Sequence, residues 1–228
     1  MTTLGGRRHC SIPELDMINR KNKKGGRPKP DDAEKIGEQI TSVALNCFIE
    51  AGFDKTPIDR IARIARVSKR TLYVRFRTKE ALFSSALTHG ISNITLAITD
   101  YPANGTLRHQ LTAVAMKIIE SSLTKEGNGI ISLLAWAAAH KPDIRKQLDQ
   151  VTSLGPRQII LDILASAEKK EGVKVENKED LSWIIFDLLV IAPRYKRLMG
   201  LTVNEDEFRA DFDRSLDFIL ASMKRTSE

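Results

Sequence analysis

Residues 56–79 read TPIDRIARIARVSKRTLYVRFRTK, and their spacing decides the fold. Thr56 and Pro57 have the form of a helix start, Thr as N-cap and Pro at the first helical position, with Asp59 three residues after the cap. Ile58, Ile61, Ala62 and Ala65 recur at helical spacing, so a short helix is predicted from Pro57 to about Ala65, with Arg60, Arg63 and Arg66 off its apolar stripe. A turn at Arg66-Val67 leads to Ser68, the cap of a second short helix over 69–76 whose Leu72 and Phe76 face inward four residues apart. Two short helices joined by such a turn form a helix-turn-helix, in which a small residue on the first, here Ala62, lets the second pack closely. From Arg60 to Lys79 there are eight Lys or Arg and no Asp or Glu. A solvated structural face intersperses both signs, so this stretch points to duplex DNA.

The flanks support a helical unit around this motif. Upstream, Ile36, Ile40, Val43, Ala44, Cys47 and Phe48 predict a helix over about 32–51, with Asp31, Asp32 and Glu34 at its positive end and Gly52 to stop it. Downstream, Thr78 caps a helix carrying Leu82, Phe83, Ala86, Leu87, Ile91, Ile94 and Ile98, about 30 Å long at ~1.5 Å per residue. Residues 1–30 lack periodic apolar positions and carry Gly5-Gly6, Gly25-Gly26 and Arg27-Pro28-Lys29-Pro30, the composition of a basic, largely disordered arm. That arm either lies along DNA or only solubilises the chain.

The chain has 228 residues and a formal charge of +7, distributed unevenly. Residues 1–80 hold 18 Lys+Arg against 10 Asp+Glu, and the remainder 18 against 19, so the positive excess is N-terminal. A concentrated basic surface releases counterions from phosphates, which favours a polyanionic partner for that third alone. Hydrophobic content of 42% with 6% aromatic residues fits a soluble helical protein. No apolar run approaches the roughly 18–20 residues that a membrane-spanning helix needs: Ile130 to Ala139 is too short, and Trp183 to Ala192 is broken by Asp187. A cytoplasmic protein with no membrane partner is expected. Cys10 and Cys47 suggest neither disulfides nor metal, and the four His at 9, 89, 109 and 140 lack metal-ligand spacing. No nucleophile elbow, phosphate loop or dinucleotide fingerprint is present, so no enzyme and no cofactor are expected. The acid pairs Asp31-Asp32 and Glu179-Asp180 sit at helix starts and read as caps.

In the C-terminal half, Leu107 to Leu123 forms a helix capped by Thr106, and Lys125 to Gly129 reads as a link to a sixth helix from Ile130 to about His140. The latter is apolar on every side and should run through the middle of its domain. Pro142 opens another helical stretch, interrupted at Gly155-Pro156 and closing near Gly172. Leu181 to Ala192, ended by Pro193 and Gly200, and Phe208 to Leu220 complete the pattern. Met116, Trp136, His140 and Trp183 are candidate effector-pocket residues, because aromatic and soft side chains line many small-molecule cavities; the alternative for each is ordinary core.

Ile40, Ala44, Phe48, Gly52-Phe53, Thr56, Ile61-Ala62, Ala65, Val67-Ser68, Leu72-Tyr73, Phe76 and Lys79-Glu80-Ala81-Leu82 together resemble the tetracycline-repressor (TetR) family over about residues 27–87. Arg66 departs from it, standing where the family usually has a turn Gly; a left-handed backbone there would cost Arg about 1 kcal/mol. The resemblance implies an operator site in which Lys69, Arg70 and Thr71 meet base edges while Thr56, Arg66, Tyr73, Arg75 and Lys79 hold phosphates. Tyr73 could instead pack on the first helix and Arg66 stay solvated. It also implies a homodimer through the last two helices, which would present two recognition helices to palindromic half-sites.

The expected architecture is all-α, with the arm at 1–30, a three-helix DNA-binding domain at 31–80 and a larger effector-binding and dimerisation domain at 81–228. The expected function is a transcriptional regulator, a repressor by the resemblance, that binds double-stranded operator DNA and is released when a small molecule binds among the C-terminal helices and tilts the helix after Thr78. The alternatives are a DNA-binding regulator controlled by a protein partner or by DNA alone, and an enzyme using a cavity in the helical domain.

Overall fold

The computed structural model describes residues 30–225 except 145, 147, 149–154 and 203; the arm, save Pro30, lies outside the described residues. Ten helices are followed here: α1 Pro30–Ala51, α2 Ile58–Ile64, α3 Lys69–Arg75, α4 Lys79–Ile98, α5 Leu107–Leu123, α6 Lys125–His140, α7 Pro156–Glu171, α8 Lys178–Phe186, α9 Ala192–Leu198 and α10 Glu205–Ser222. Between α8 and α9 lies a π-helical turn, Asp187–Ile191. Two short strands unforeseen in the sequence, β1 Val173–Lys174 and β2 Lys224–Arg225, pair antiparallel.

Several boundaries follow from caps read in the sequence. The hydroxyls of Ser68, Thr78 and Thr106 accept the backbone N–H of Thr71, Ala81 and His109, which satisfies donors that each helix start leaves free. Gly172, left-handed at φ 63°, closes α7. Other boundaries differ. Thr56 does not cap α2: Pro57 occupies the cap position without a side-chain bond, and the helix begins at Ile58. The link expected at 125–129 is helical, because Thr124 accepts the N–H of Gly127 and starts α6 at Lys125. Gly127 is needed there, since a Cβ would lie 2.1 Å from the Ser121 carbonyl oxygen.

Pro193 does not end the helix before it. The preceding turn widens instead, with the Ala192 N–H reaching back to the Asp187 carbonyl, so the helical path continues through the buried proline. A π-turn of this kind accommodates a residue that lacks an N–H and crowds the turn ahead of it.

Two buried cores organise the helices. The first joins α1, α2, α3 and the first part of α4 to Ile130, Leu133 and Ala137 of α6, with Ile144 and Leu148. The second gathers Ile98, α5, α7, the α8–π–α9 segment and α10. Ile94 packs against both. The expectation that α6 runs through the middle of the C-terminal domain is therefore corrected: α6 lies against the N-terminal core, and its Ile131, Ser132 and Ala135 are exposed. Helix α4 is long and apolar enough by length and composition to cross a membrane. Its Leu82, Phe83, Ala86, Leu87 and Ile98 are instead buried among the other helices.

An aromatic cluster fastens α6 to the N-terminal unit. Phe83 stands edge-on to Phe48 and Phe53, at 5.0 Å from each, and Trp136 of α6 stacks on Phe53 at 5.0 Å. Such pairs contribute beyond the area they bury. Phe83→Ala should cost about 3–5 kcal/mol of unfolding free energy, read as a fall in the urea midpoint; a loss below ~1 kcal/mol would show that the cluster collapses to fill the space.

Candidate nucleic-acid interface

Helix α3 is seven residues long and buries only Leu72, with Phe76 tucked under its end. Ala62 of α2 is buried, in keeping with the small residue needed where the two helices meet. Every other α3 residue faces outward, so Lys69, Arg70, Thr71, Tyr73, Val74 and Arg75 form one exposed surface. Between the helices, the Val67 N–H donates to the Ala62 carbonyl and the Arg66 N–H to that of Arg63. This is the Schellman pairing, which requires a left-handed residue after the last helical position. Arg66 supplies it at φ 53°, the only non-glycine with positive φ among the described residues. Its side chain is exposed.

The basic surface is less free of acid than residues 60–79 alone suggest. Glu50 of α1 pairs with Arg60 at 2.6 Å, and Asp59 of α2 pairs with Lys69 at 2.5 Å. Both acids stand outside the acid-free stretch in sequence and come alongside it only in the fold. Arg63, Arg66, Arg70 and Arg77 are exposed cations with no ion pair among the described residues, which leaves a positive surface around α3.

The residues expected at phosphates differ in placement. Thr56 is corrected: its side chain is 0% exposed, and its hydroxyl donates to the carbonyls of Cys47 and Gly52, tying the end of α1 to the loop before α2. It offers nothing to a phosphate. Tyr73 is 48% exposed. The Arg75 guanidinium lies over buried Gly37 of α1, where a Cβ would come within 2.2 Å of it. Lys79 Nζ sits 4.6 Å from the Phe53 ring centroid and donates to the Asp54 carbonyl at 3.4 Å. Among the base-edge candidates, Arg70 is exposed, while the Thr71 hydroxyl bonds that of Ser68 at 2.8 Å, leaving its methyl outward as the free part.

Val74 escaped the sequence reading. It is 77% exposed at the centre of a polar, cationic surface. The signal was available: Leu72 and Phe76 face inward, and a residue midway between an i, i+4 pair lies on the opposite side of the helix.

Beside this surface, Lys141 at the end of α6 pairs with Glu80 at 3.1 Å and lies 5.1 Å from the Phe53 centroid. The Glu80 carboxyl is held below its ordinary range, first by its own backbone N–H at the start of α4 and then by Lys141. The four effector-pocket candidates do not converge. Trp136 and His140 stack together at 5.2 Å in the aromatic cluster, Met116 packs against the second core, and Trp183 lies 45% exposed beneath the Arg157 guanidinium. Burial raises the pKa of the Cys47 thiol, and no cluster of candidate metal ligands occurs among the described residues.

Residues 40–86 match the family model described as bacterial regulatory proteins, tetR family. The helix-turn-helix and the helices flanking it thus match the TetR family. The chain is 25% identical over 172 residues to the HTH-type transcriptional regulator YdeS of Bacillus subtilis (strain 168), covering 73% of this chain and 83% of YdeS. It is 29% identical over 102 residues to the HTH-type transcriptional regulator AcrR of Shigella flexneri, covering 44% of this chain and about half, 47%, of AcrR. Among solved structures, the flavonoid-responsive regulator FrrA superposes with a TM-score of 0.70 at 20% identity, covering 85% of this chain and all of that one. Reduced NemR of E. coli superposes at 0.62 and 15%, covering 84% of this chain and all of NemR. At these identities the superpositions establish the fold. With the family and the exposed helix-turn-helix, the protein is a DNA-binding transcriptional regulator.

Arg66→Gly should remove the left-handed strain, partly offset by the backbone freedom of glycine, and raise stability by roughly 0.5–1 kcal/mol. Chemical denaturation checks this; a lower midpoint would mean that the Arg66 side chain makes a contact worth more than the strain.

Proposed function

We propose that this TetR-family regulator reads a palindromic operator as a homodimer, with α3 in the major groove, and that a small-molecule effector releases it. The observation that carries the DNA reading is α3 itself: one buried leucine anchors it, and nearly everything else it has is turned outward. In this reading Lys69 and Arg70 meet base edges, Arg70 favouring guanine, and the methyls of Thr71 and Val74 contact thymine. Arg66, Tyr73, Arg75 and Lys79 hold phosphates, with Lys79 leaving the Phe53 face to do so and the start of α4 adding its dipole. The division into an arm at 1–30, a DNA-binding domain at 31–80 and a C-terminal domain at 81–228 belongs to the same proposal, as does action in the cytoplasm, where the operator lies.

Support for the dimer comes from the α8–π–α9 segment and α10. Ile184, Ile191, Tyr195, Leu198 and Phe218 are exposed there, a concentration of large apolar side chains that a second copy would cover. Support for an effector comes from the way α6 enters the core of the DNA-reading unit, and from the flavonoid response named for a regulator of the same fold.

Arg70→Ala should erase preference among operator variants while leaving the fold intact; retained selectivity would remove Arg70 from base reading. For a dimer meeting three or four phosphates per subunit, log affinity against log salt should slope near about −5 to −7. A slope near zero would overturn the groove reading.

A further inference from the structure

Where α1 turns toward α2, a cleft of about 570 Å³ opens against the first three turns of α6. Its volume lies within the range of small-molecule sites. The apolar lining comes from Ile49 and Phe53 on one wall and Leu133 and Trp136 on the other; Lys55 and Lys125 stand exposed at the rim. Neither lysine has an ion pair among the described residues, and the lining holds one acid, Asp54. Lys79 and Lys141, the latter paired with Glu80, stand outside the lining within 5.1 Å of the Phe53 centroid. An aromatic surface ringed by cations suits a flat ring system carrying a negative charge and repels a cationic ligand.

The cleft is also placed to act on DNA reading. Its two walls belong to different parts of the molecule, the α1–α2 corner that supports the recognition helix and the α6 segment of the C-terminal half. They touch at Gly129, where a Cβ would sit 2.6 Å from Ile49 Cγ2, so α6 meets α1 at backbone range on one side of the opening. A ligand that contacts both walls binds best at one spacing of them, and that difference in affinity is what shifts a conformational equilibrium.

We propose that this α1–α6 cleft binds an amphipathic aromatic anion, a ring system bearing a carboxylate or sulfonate, and that its occupation lowers operator affinity. The inference rests on the effector-released reading above and assigns that effector a site and a chemical class.

The test uses the full chain with Trp183→Phe, which leaves Trp136 as the only tryptophan. Anilinonaphthalene sulfonate serves as the anionic probe and phenylnaphthylamine as its neutral counterpart. The sulfonate should quench Trp136 emission in a saturable, one-per-chain manner. Lys55→Gln with Lys125→Gln should weaken it about tenfold, the equivalent of one charge-assisted hydrogen bond, and should leave the neutral probe unchanged. Ser132→Phe, on the exposed side of α6, should block the cleft and abolish quenching while circular dichroism and the melting temperature stay as they were. Saturating sulfonate should weaken operator binding severalfold in the parent and not in the blocked variant. Absent quenching, or quenching indifferent to Ser132→Phe, overturns the site; a filled cleft with unchanged operator affinity overturns its effector role. If another compound releases operator equally from parent and blocked chains, the effector-released reading stands and the cleft is excluded.

Discussion

The contact on which the arrangement depends is the stack of Trp136 on Phe53 beneath Phe83. Three rings from three separate segments meet there: the corner after α1, the second turn of α4 and the middle of α6. Without it, the N-terminal helices would form a small unit with little apolar area, and small units are marginal alone. With it, the unit borrows Ile130, Leu133 and Ala137 from the C-terminal half and shares one buried core with it. Stability of the DNA-reading unit and its mechanical connection to the rest of the chain thus come from the same side chains. Ion pairing surrounds the stack without replacing it, since the Glu80–Lys141 bridge is partly exposed and contributes little by itself.

The recognition surface shows the opposite economy of contacts. Helix α3 is too short to persist alone and is held by its Ser68 cap, by Leu72 and by the turn before it. Because so few of its residues are needed for support, the rest are free to face a partner. The pairs Glu50–Arg60 and Asp59–Lys69 neutralise part of the charge nearby and orient side chains on the flank of the surface.

Much of this was legible in the sequence, for identifiable reasons. Caps are local, so Ser68, Thr78 and Thr106 announced three helix starts. At Arg66 the sequence left open whether the turn relaxes or keeps a left-handed residue, and the φ of 53° decides for the second. Failures came where meaning depends on tertiary neighbours. The Thr56 hydroxyl resembles a cap or a phosphate ligand until the Cys47 and Gly52 carbonyls are seen to claim it. The apolar run of α6 reads as fully buried, yet most of its outer residues are alanine or serine, small enough to remain exposed at little cost. The pocket candidates were chosen by residue type, and type alone does not reveal that Trp136 packs against the first core while Trp183 lies half exposed beside Phe186.

The widened turn ahead of Pro193 also sets a rotational phase. A π-turn takes up one additional residue in a single wider turn, so the helix on either side keeps close to the phase it would have without that residue. Counted through an unbroken α-helix, Tyr195 would fall about 20° from Ile184; the residue taken up at 187–191 turns Tyr195 and Leu198 from that count by about one residue's rotation. Loss of a single codon within 187–191 would let the segment close into ordinary α-helix with the downstream side chains near their present phase, whereas a loss elsewhere in the helical path would turn them by about 100°. The widened turn is thus the place where the helical path can gain or lose a residue without re-aiming the exposed side chains of α9.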